Sequence, residues 1–322
     1  MSTNDPQLPA KQRRSRTGLI TGIAVAAVVV IVTAVLIVVN VVGGSSSSSA
    51  ATGSSAKPVT VSIGVTDAAQ PYWRTFSDLA KKKLNVTVKL VNFSDYSQPN
   101  PALSQKQLDL NEFQHIQFLA NYNVTNHDDI QPIGATAVYP LPLYSLNYKK
   151  PSELPANAKV AIPNDAINEA RGLLVLQSAG LVDLKGGGSA FSTTADVSSS
   201  KVQLTTLDAS QTAQALQTGS VDAAIVNNNY ATAAKIPATD AIFKDDPASA
   251  SAAPYVNVFA ARKADAANPL YLKLAALYHD PTVEKQVQTA NGGTAVFRTV
   301  SAKDLQASLS KVEADAKAAA KK

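Results

Sequence analysis

Residues 91–118 read VNFSDYSQPNPALSQKQLDLNEFQHIQF, and the other predicted elements are placed relative to them. The apolar start predicts a strand that ends at Phe93, and Asp95, Pro99 and Pro101 predict the turn that follows it. Aromatic side chains concentrate in the rest of the stretch, at Tyr96, Phe113, His115 and Phe118. Aromatic residues on a loop at the carboxyl end of a strand usually pack in the core. They also form pockets for small, partly apolar ligands, and the stretch alone leaves both interpretations open.

Alternating strand and helix patterns flank this stretch on both sides. Apolar and β-branched runs predict strands at residues 59–65, 85–93, 129–139, 143–148, 159–163, 202–207, 221–227 and 255–262. Apolar residues at helical spacing predict helices at residues 72–83, 166–179, 210–217, 269–278 and 281–290. Such alternation predicts an α/β fold with a mainly parallel sheet, which binds ligands at the carboxyl ends of its strands. About 240 residues are enough for one large or two small lobes.

The N-terminus predicts a membrane anchor. Residues 1–18 form a basic tail, and residues 19–42 are almost entirely apolar. As a helix the apolar run would be about 36 Å long, enough to cross a bilayer core of about 30 Å. A cleaved signal peptide is the alternative, but its apolar region is roughly 7–15 residues. We therefore predict an uncleaved, single-pass signal anchor with a cytoplasmic N-terminus and an extracytoplasmic body.

Composition indicates what the remaining segments are and which chemistry and partners are excluded. Residues 43–57 are rich in Gly and Ser and predict a flexible linker. Residues 301–322 are rich in Ala and Lys, and we interpret them as a solvated helix that frays into a tail. The chain has no cysteine, which excludes disulfides and thiolate chemistry. Three of its five net positive charges lie in residues 1–18, so the body lacks the basic surface that nucleic-acid binding requires.

Polar residues follow several predicted strands and are candidate ligand contacts. Asn168 and Arg171 are three residues apart near the start of the helix after strand 159–163, so they share a helix face. The planar guanidinium of Arg171 is suited to a carboxylate, although an isolated arginine is more often a surface residue. Asn227 ends the predicted strand 221–227, where an amide suits the polar groups of an amino acid and also suits a plain turn. Asn257 lies inside an apolar strand and needs a partner in the core or on a ligand.

Metal and catalytic sites find little support in the sequence. His115, His127 and His279 lie far apart and lack metal-ligand spacing. The sequence contains neither a nucleophile elbow nor a phosphate-binding loop. We therefore predict no metal, no cofactor and no catalytic set.

Several ordered blocks resemble the NlpA family, the methionine-binding components of ABC importers. The blocks include FSDYSQPNPAL (93–103), LDLNEFQHIQFL (108–119), VYPLPLYS (138–145), AIVNNNYA (224–231) and PYVNVF (254–259). The resemblance covers roughly residues 59–299. It implies a two-lobed clamshell of the periplasmic-binding-protein type, with a hinge and a ligand in the cleft. It divides the body into residues 58–141 and 255–300 as lobe 1 and residues 142–254 as lobe 2, with residues 301–322 as a C-terminal helix or tail.

The resemblance also implies roles for individual residues. Tyr96, Phe113, His115 and Phe118 would form an aromatic wall for a methionine thioether. Arg171, supported by Asn168, would bind the ligand carboxylate, and Asn227 and Asn257 would hold the other polar groups of the amino acid. Phe118 stands where the family usually has tyrosine, and the lipid-bearing cysteine is absent, which would leave anchoring to residues 19–42.

The expected function is capture of methionine, or of a related amino acid or methionyl peptide, for an ABC permease and its ATPase. An extracytoplasmic enzyme on the same scaffold would need an acid or base in the cleft, for which His115 is the only candidate. A ligand-sensing or signalling module that no longer serves transport is the third possibility, and the sequence leaves it open.

Overall fold

The computed structural model describes residues 57–321 of the chain. The basic tail, the apolar anchor and most of the linker lie outside these described residues, so their predictions are carried forward unchanged. Among the helices within 57–321, none has the length and apolar character needed to cross a membrane.

Thirteen strands occur within residues 57–321. They are β1 (Val59–Val65), β2 (Val86–Asn92), β3 (Leu110–His115), β4 (Gln131–Val138), β5 (Pro142–Tyr144), β6 (Lys159–Pro163), β7 (Val182–Leu184), β8 (Val197–Ser200), β9 (Gln203–Leu207), β10 (Ala223–Ile225), β11 (Ala241–Lys244), β12 (Val256–Ala261) and β13 (Val296–Phe297). Every strand predicted from the sequence is present, with some ends shifted. Strands β3, β7, β8, β11 and β13 were not predicted.

Nine α-helices lie in the same part of the chain. They are α1 (Pro71–Leu84), α2 (Pro99–Ser104), α3 (Ile116–Asn126), α4 (Ala166–Ser178), α5 (Ala209–Gln217), α6 (Asn228–Ala233), α7 (Pro269–Ala276), α8 (Pro281–Ala290) and α9 (Ala302–Ala319). Proline or an Asx side chain starts many of them. Asp280, for example, accepts a hydrogen bond from the Thr282 N–H ahead of α8, and Pro281 opens the helix.

The strands form two main sheets, and we call each sheet with its packed helices a lobe. The sheet of lobe 1 has the order β13-β4-β12-β3-β1-β2, and that of lobe 2 has the order β11-β5-β10-β6-β9. Strands β7 and β8 form a separate antiparallel pair. The chain passes between the lobes twice, at residues 139–141 and at residues 245–255. The numerical lobe boundaries taken from the resemblance stay predictions.

The expectation of a mainly parallel sheet is only partly right. β2, β1 and β3 are parallel, as are β9, β6 and β10. β12 runs antiparallel to both β3 and β4, and β5 runs antiparallel to β10 and β11. Both sheets are therefore mixed, because β5 and β12, the first strands after the two crossovers, run opposite to the parallel strands of their sheets.

Lobe 1 is held together by an aromatic cluster under α1. The rings of Trp73 and Phe76 meet edge to face at 5.4 Å, and Phe76 stacks on Phe259 of β12 at 5.8 Å. Tyr278 contacts both Trp73 and Phe259, and all four side chains are fully buried. Such pairs add about 0.5–1.5 kcal/mol each beyond the hydrophobic gain of burial. This cluster fixes α1 and the 3₁₀ turn after α7 to the sheet.

The stretch 91–118 is more regular than the sequence suggested. Its C-terminal part is not a loop: it forms the central strand β3 and the start of α3. Buried amides hold it in place, since Asn100 and Gln114 exchange two hydrogen bonds of 2.7 and 2.6 Å, and Asn111 donates to Asn100 at 2.9 Å. This amide network joins α2 to β3 and satisfies polar groups that would otherwise oppose burial.

The C-terminal helix corrects a second prediction. Residues 302–319 form a helix packed on α3 and β4 and are not a fraying, solvated segment. Leu305, Leu309, Val312 and Ala316 are buried along one face, at helical spacing. Ser301 starts the helix by accepting a hydrogen bond from the Asp304 N–H. The helix therefore belongs to the core of lobe 1.

Candidate functional site

A cavity lies between the two lobes, at the carboxyl ends of several strands. Its empty volume is about 880 Å³, including the part open to solvent. All eight residues singled out from the sequence line it: Tyr96, Phe113, His115, Phe118, Asn168, Arg171, Asn227 and Asn257. The structure thus brings together residues that are up to 161 positions apart in the sequence. Their contact with a ligand remains a prediction.

Lobe 1 contributes an aromatic wall to this cavity. The ring centroids of Phe113 and Phe118 are 5.8 Å apart, and each lies 6.1 Å from Tyr96. Phe113 and His115 come from β3, and Phe118 comes from the first turn of α3. His115 Nδ1 accepts a hydrogen bond from the Phe118 N–H at 3.2 Å and so caps α3. This bond fixes the imidazole at the point where the strand becomes a helix.

His115 is held in its neutral form. Burial, followed by the positive charge of Arg171, lowers the pKa of His115 to about 3. Since Nδ1 accepts the bond from Phe118, the ring proton lies on Nε2. A histidine with such a low pKa, and with Nδ1 already engaged, is a weak general base near neutral pH.

Arg171 lies on α4 and is almost fully buried, with 5% of the residue exposed. Nε donates to Asp245 Oδ2 at 2.8 Å, and Nη2 donates to the Tyr139 carbonyl at 2.8 Å. The guanidinium also lies 4.2 Å from the centroid of the Tyr255 ring, in a cation–π contact. These partners lie at or beside the two crossovers, and Asp245 Oδ1 also accepts from the Leu141 N–H at 2.7 Å. Arg171 therefore ties both crossovers together, and its Nη1 and one hydrogen of Nη2 have no acceptor among residues 57–321.

The asparagines form a chain on lobe 2. Asp165 caps α4 and accepts from the Asn168 side chain at 3.0 Å, and Asn168 Oδ1 accepts from Asn227 Nδ2 at 2.9 Å. The buried Oδ1 of Asn227 has no hydrogen-bond partner among residues 57–321. On lobe 1, Asn257 donates to the Ala137 carbonyl at 3.3 Å, which supplies the core partner that its strand position required. Asn227 therefore presents a free acceptor at the cavity.

Contacts between the lobes involve residues that the sequence analysis did not select. The Tyr96 hydroxyl donates to Asn229 Oδ1, and the Tyr230 hydroxyl donates to the Ser94 carbonyl at 3.0 Å. The rings of Tyr96 and Tyr230 are 5.0 Å apart, and Asn229 also donates to Thr66 at 3.3 Å. The run NNNY at residues 227–230 was the available signal, but only its first asparagine was chosen.

Two carboxyl groups also line the cavity. Glu112 is 7% exposed, and the Thr136 hydroxyl donates to its Oε1 at 2.9 Å. Burial, followed by the charge of Asp67, raises the pKa of Glu112 to about 8. Asp67 accepts hydrogen bonds from Tyr72 and from Trp73, the latter at 2.6 Å, while burial raises its pKa. Glu112 lies inside the opening stretch, where a glutamate among apolar neighbours was the missed signal.

The described residues offer no set of ligands for a metal. No group of three or more His, Cys, Asp or Glu side chains is close enough to hold an ion anywhere in 57–321. The hydrogen-bonding groups that line the cavity within 57–321 include amides, carboxyls, hydroxyls, the His115 imidazole and the Arg171 guanidinium. Together with the aromatic wall, these groups suit a small ligand that is apolar at one end and charged at the other.

Comparison with known proteins shows which family the chain belongs to. The family model described as NlpA lipoprotein matches residues 59–298. The D-methionine-binding lipoprotein MetQ of Yersinia pestis is 35% identical over 243 residues, which cover 74% of this chain and 88% of that protein.

Solved structures share the fold. A nutrient-binding protein from Burkholderia cenocepacia bound to methionine has a TM-score of 0.68 at 35% identity and covers 74% of this chain and 99% of its own. The substrate-binding protein of a methionine transporter from Streptococcus pneumoniae has a TM-score of 0.68 at 36% identity, with 74% and 95% coverage. The two mixed sheets are thus those of a two-lobed α/β substrate-binding protein, and the chain belongs to the NlpA lipoprotein family.

Proposed function

We propose that this protein is a membrane-tethered, extracytoplasmic substrate-binding protein. It captures methionine, or a closely related amino acid or methionyl peptide, and delivers it to an ABC permease with its ATPase. The observation that carries the proposal is the cavity itself, in which an aromatic wall on lobe 1 shares one space with Arg171 and the asparagines of lobe 2. Relatives named for methionine binding support this choice of ligand.

The aromatic wall would receive the thioether. Sulfur–aromatic contacts contribute about 0.3–1.5 kcal/mol each, and Tyr96, Phe113 and Phe118 present three rings within 6.1 Å of one another. The neutral His115 adds an apolar edge and an Nε2 donor. A polar side chain of similar length would lose these contacts and would also have to give up its hydration.

The charged end of the ligand would face lobe 2. Arg171 retains Nη1 and one hydrogen of Nη2, which are enough for an end-on pair of hydrogen bonds to a carboxylate. Asn227 Oδ1 would accept a hydrogen bond from the amino group, and the hydrogen bond with Asn168 would hold the Asn227 side chain in position. Asn257 would complete the polar contacts from lobe 1.

Ligand binding would favour the closed arrangement of the lobes. The hydrogen bonds of Tyr96 with Asn229 and of Tyr230 with Ser94 join the two lobes at the cavity. A ligand that contacts both lobes stabilises the arrangement in which these bonds form, and the permease would recognise that arrangement.

The tether would be the apolar segment at residues 19–42, which crosses the membrane once and leaves the N-terminus in the cytoplasm. The chain contains no cysteine that could carry a lipid. The basic residues before the segment favour this orientation. The linker up to residue 57 would let the folded body reach its permease.

The proposal assigns no catalytic role. An enzyme would need a poised acid or base, and His115, the only candidate from the sequence, has a pKa of about 3 and caps a helix. Glu112, whose pKa is about 8, also lines the cavity, and we assign it to ligand binding and not to chemistry. Binding without chemical change is the activity that the cavity supports best.

The test is a thermal-shift screen followed by calorimetry on the full chain in detergent. Both enantiomers of methionine, the other amino acids and short methionyl peptides are compared, since a ligand that binds only the native state raises the melting temperature. Arg171→Ala should weaken methionine binding by about 10- to 150-fold, the equivalent of a charge-assisted hydrogen-bond partner worth about 1.5–3 kcal/mol.

Arg74→Ala is the matched control, because Arg74 is exposed on α1 and lies outside the cavity. Circular dichroism checks that both variants are folded. Unchanged affinity in Arg171→Ala would contradict the assignment of the site, and the absence of any shift with methionine compounds would contradict the proposed ligand.

A further inference from the structure

Glu112 is a buried carboxyl group that faces the cavity with one oxygen uncommitted. Oε1 accepts the hydrogen bond from Thr136, which is itself fully buried on β4. Oε2 has no hydrogen-bond partner among residues 57–321, although the side chain is 93% buried and lines the cavity. A carboxyl oxygen that lines a cavity and accepts no hydrogen bond from the described residues is suited to a donor that enters the cavity.

The protein groups around Glu112 supply no positive charge. Those that interact electrostatically with it are Asp67, in the turn before α1, and the hydroxyls of Tyr72, Tyr139 and Tyr278. The one guanidinium of the cavity, on Arg171, is paired with Asp245. Asp67 is itself an acid, so the surroundings of Glu112 favour a cation that the described residues do not provide.

We infer that Glu112 is a specificity-determining residue of the cavity, and that its Oε2 binds a primary ammonium group of the ligand. The inference rests on the proposed function, which it deepens by naming the charge partner of the amine. Asn227 Oδ1 offers the amine a neutral acceptor, whereas Glu112 offers an ionic one. A ligand with a carboxylate for Arg171 and an ammonium for Glu112 has the charges of an amino acid or a peptide.

Binding of the ammonium is coupled to loss of a proton. With a pKa of about 8, Glu112 is mostly protonated near neutral pH before the ligand arrives. An ammonium beside Oε2 stabilises the carboxylate, so the carboxylic acid O–H breaks and its proton leaves to solvent. As the pH falls further below about 8, this ionisation costs more free energy and lowers the net free energy of binding. Affinity for an amine ligand should therefore rise about tenfold or more between about pH 6 and about pH 8.

The alternative is a structural role, in which Glu112 stays protonated and serves only as the partner of Thr136. Calorimetry on the full chain in detergent separates the two. Methionine is compared with 4-(methylthio)butanoate, which keeps the thioether and carboxylate and lacks the amine. Both ligands are titrated in two buffers of different ionisation enthalpy, which counts the protons released on binding. Glu112→Gln is the variant, because it keeps the size of the side chain and the acceptor for Thr136.

The wild type should prefer methionine by tenfold or more and release a sizeable fraction of one proton near about pH 7. Glu112→Gln should bind methionine about tenfold more weakly at about pH 8, bind the amine-free analogue within about twofold of the wild type, and release no proton. The proton count of the wild type alone tests the inference if the variant is poorly folded.

Methionine binding without proton release, or an equal preference for methionine in both proteins, would refute the role of Glu112 and leave the proposed function standing. A wild type that binds no amino acid would refute the proposed function, and this inference with it.

Discussion

Gly292 provides a sharp test of whether ligand binding requires the lobes to meet as they do here. It lies in the turn between α8 and β13 on lobe 1, with φ of +59°. A Cβ added at Gly292 would lie 2.9 Å from the Cβ of Ala238, in a 3₁₀ turn of lobe 2. The contact thus crosses from one lobe to the other, next to Asn291, which lines the cavity.

Gly292→Ala carries two separate costs. The left-handed backbone conformation costs a non-glycine residue about 1–2 kcal/mol, whatever the lobes do. The contact with Ala238 is about 0.5 Å shorter than ordinary van der Waals distance, and overpacking of this kind costs about 1–3 kcal/mol. The second cost disappears when the lobes separate. It should therefore lower ligand affinity by about 5- to 150-fold without lowering the stability of the separated lobes.

Gly293→Ala is the matched control. Gly293 also has a positive φ, +76°, but an added Cβ would have no atom within 4 Å. Both variants should lose similar stability in urea unfolding without ligand, whereas only Gly292→Ala should lose affinity for methionine in calorimetry. Equal affinities for the two variants would refute the idea that binding needs this approach of the lobes.

Two further predictions concern stability. Leu309→Ala should lower the free energy of unfolding by about 2–5 kcal/mol in urea titrations, because Leu309 is 1% exposed, on the buried face of α9. Lys311→Ala, on the exposed face of the same helix, should change the free energy of unfolding by less than about 0.5 kcal/mol. Similar small losses for the two variants would favour the solvated helix that the sequence predicted. Without ligand, stability that depends on Glu112 is full below its unfolded pKa of 4.5 and is lost as pH rises through about 8. As pH rises through that interval, the free energy of unfolding of Glu112→Gln should therefore increase relative to that of the wild type, by up to about 1.4 kcal/mol per pH unit. A difference between the two proteins that does not vary with pH would contradict the buried, protonated state.

Local patterns predicted much of the fold. β6 at Lys159–Pro163 and α8 at Pro281–Ala290 have the predicted ends, because an apolar run stopped by proline and a proline start are purely local signals. β3 was missed because amides interrupt its apolar pattern. Those amides are compatible with burial only through the partner Asn100, about a dozen residues earlier in the chain.

α9 was misinterpreted for a different reason. Its buried residues, from Leu305 to Ala316, follow helical spacing, but alanine and lysine between them dilute the apolar signal. The helix is held by its contact with α3, which was itself not predicted, so one missed element concealed the other.

Part of the candidate site could be predicted from the sequence, and part could not. The aromatic and amide residues were found because they lie within short stretches that resemble a known family. Asp245 was not found, because it lies outside those stretches and its role arises from pairing with Arg171 across the crossovers. Tyr230 and Tyr255 lie within the stretches, but their roles come from contacts with Ser94 and Arg171 that the stretches alone do not show.

The position of β12 has a consequence for the order in which the protein can fold. β12 lies between β3 and β4 in the sheet, yet it begins only at residue 256. All the strands of lobe 2 have been synthesised by residue 244, so that lobe has its complete sheet first. Until β12 and β13 emerge, β4 has no strand partner and β3 has one open edge. A chain halted before residue 256 therefore combines a finished lobe 2 with unprotected strand edges in lobe 1, the form of this protein most exposed to edge-to-edge aggregation.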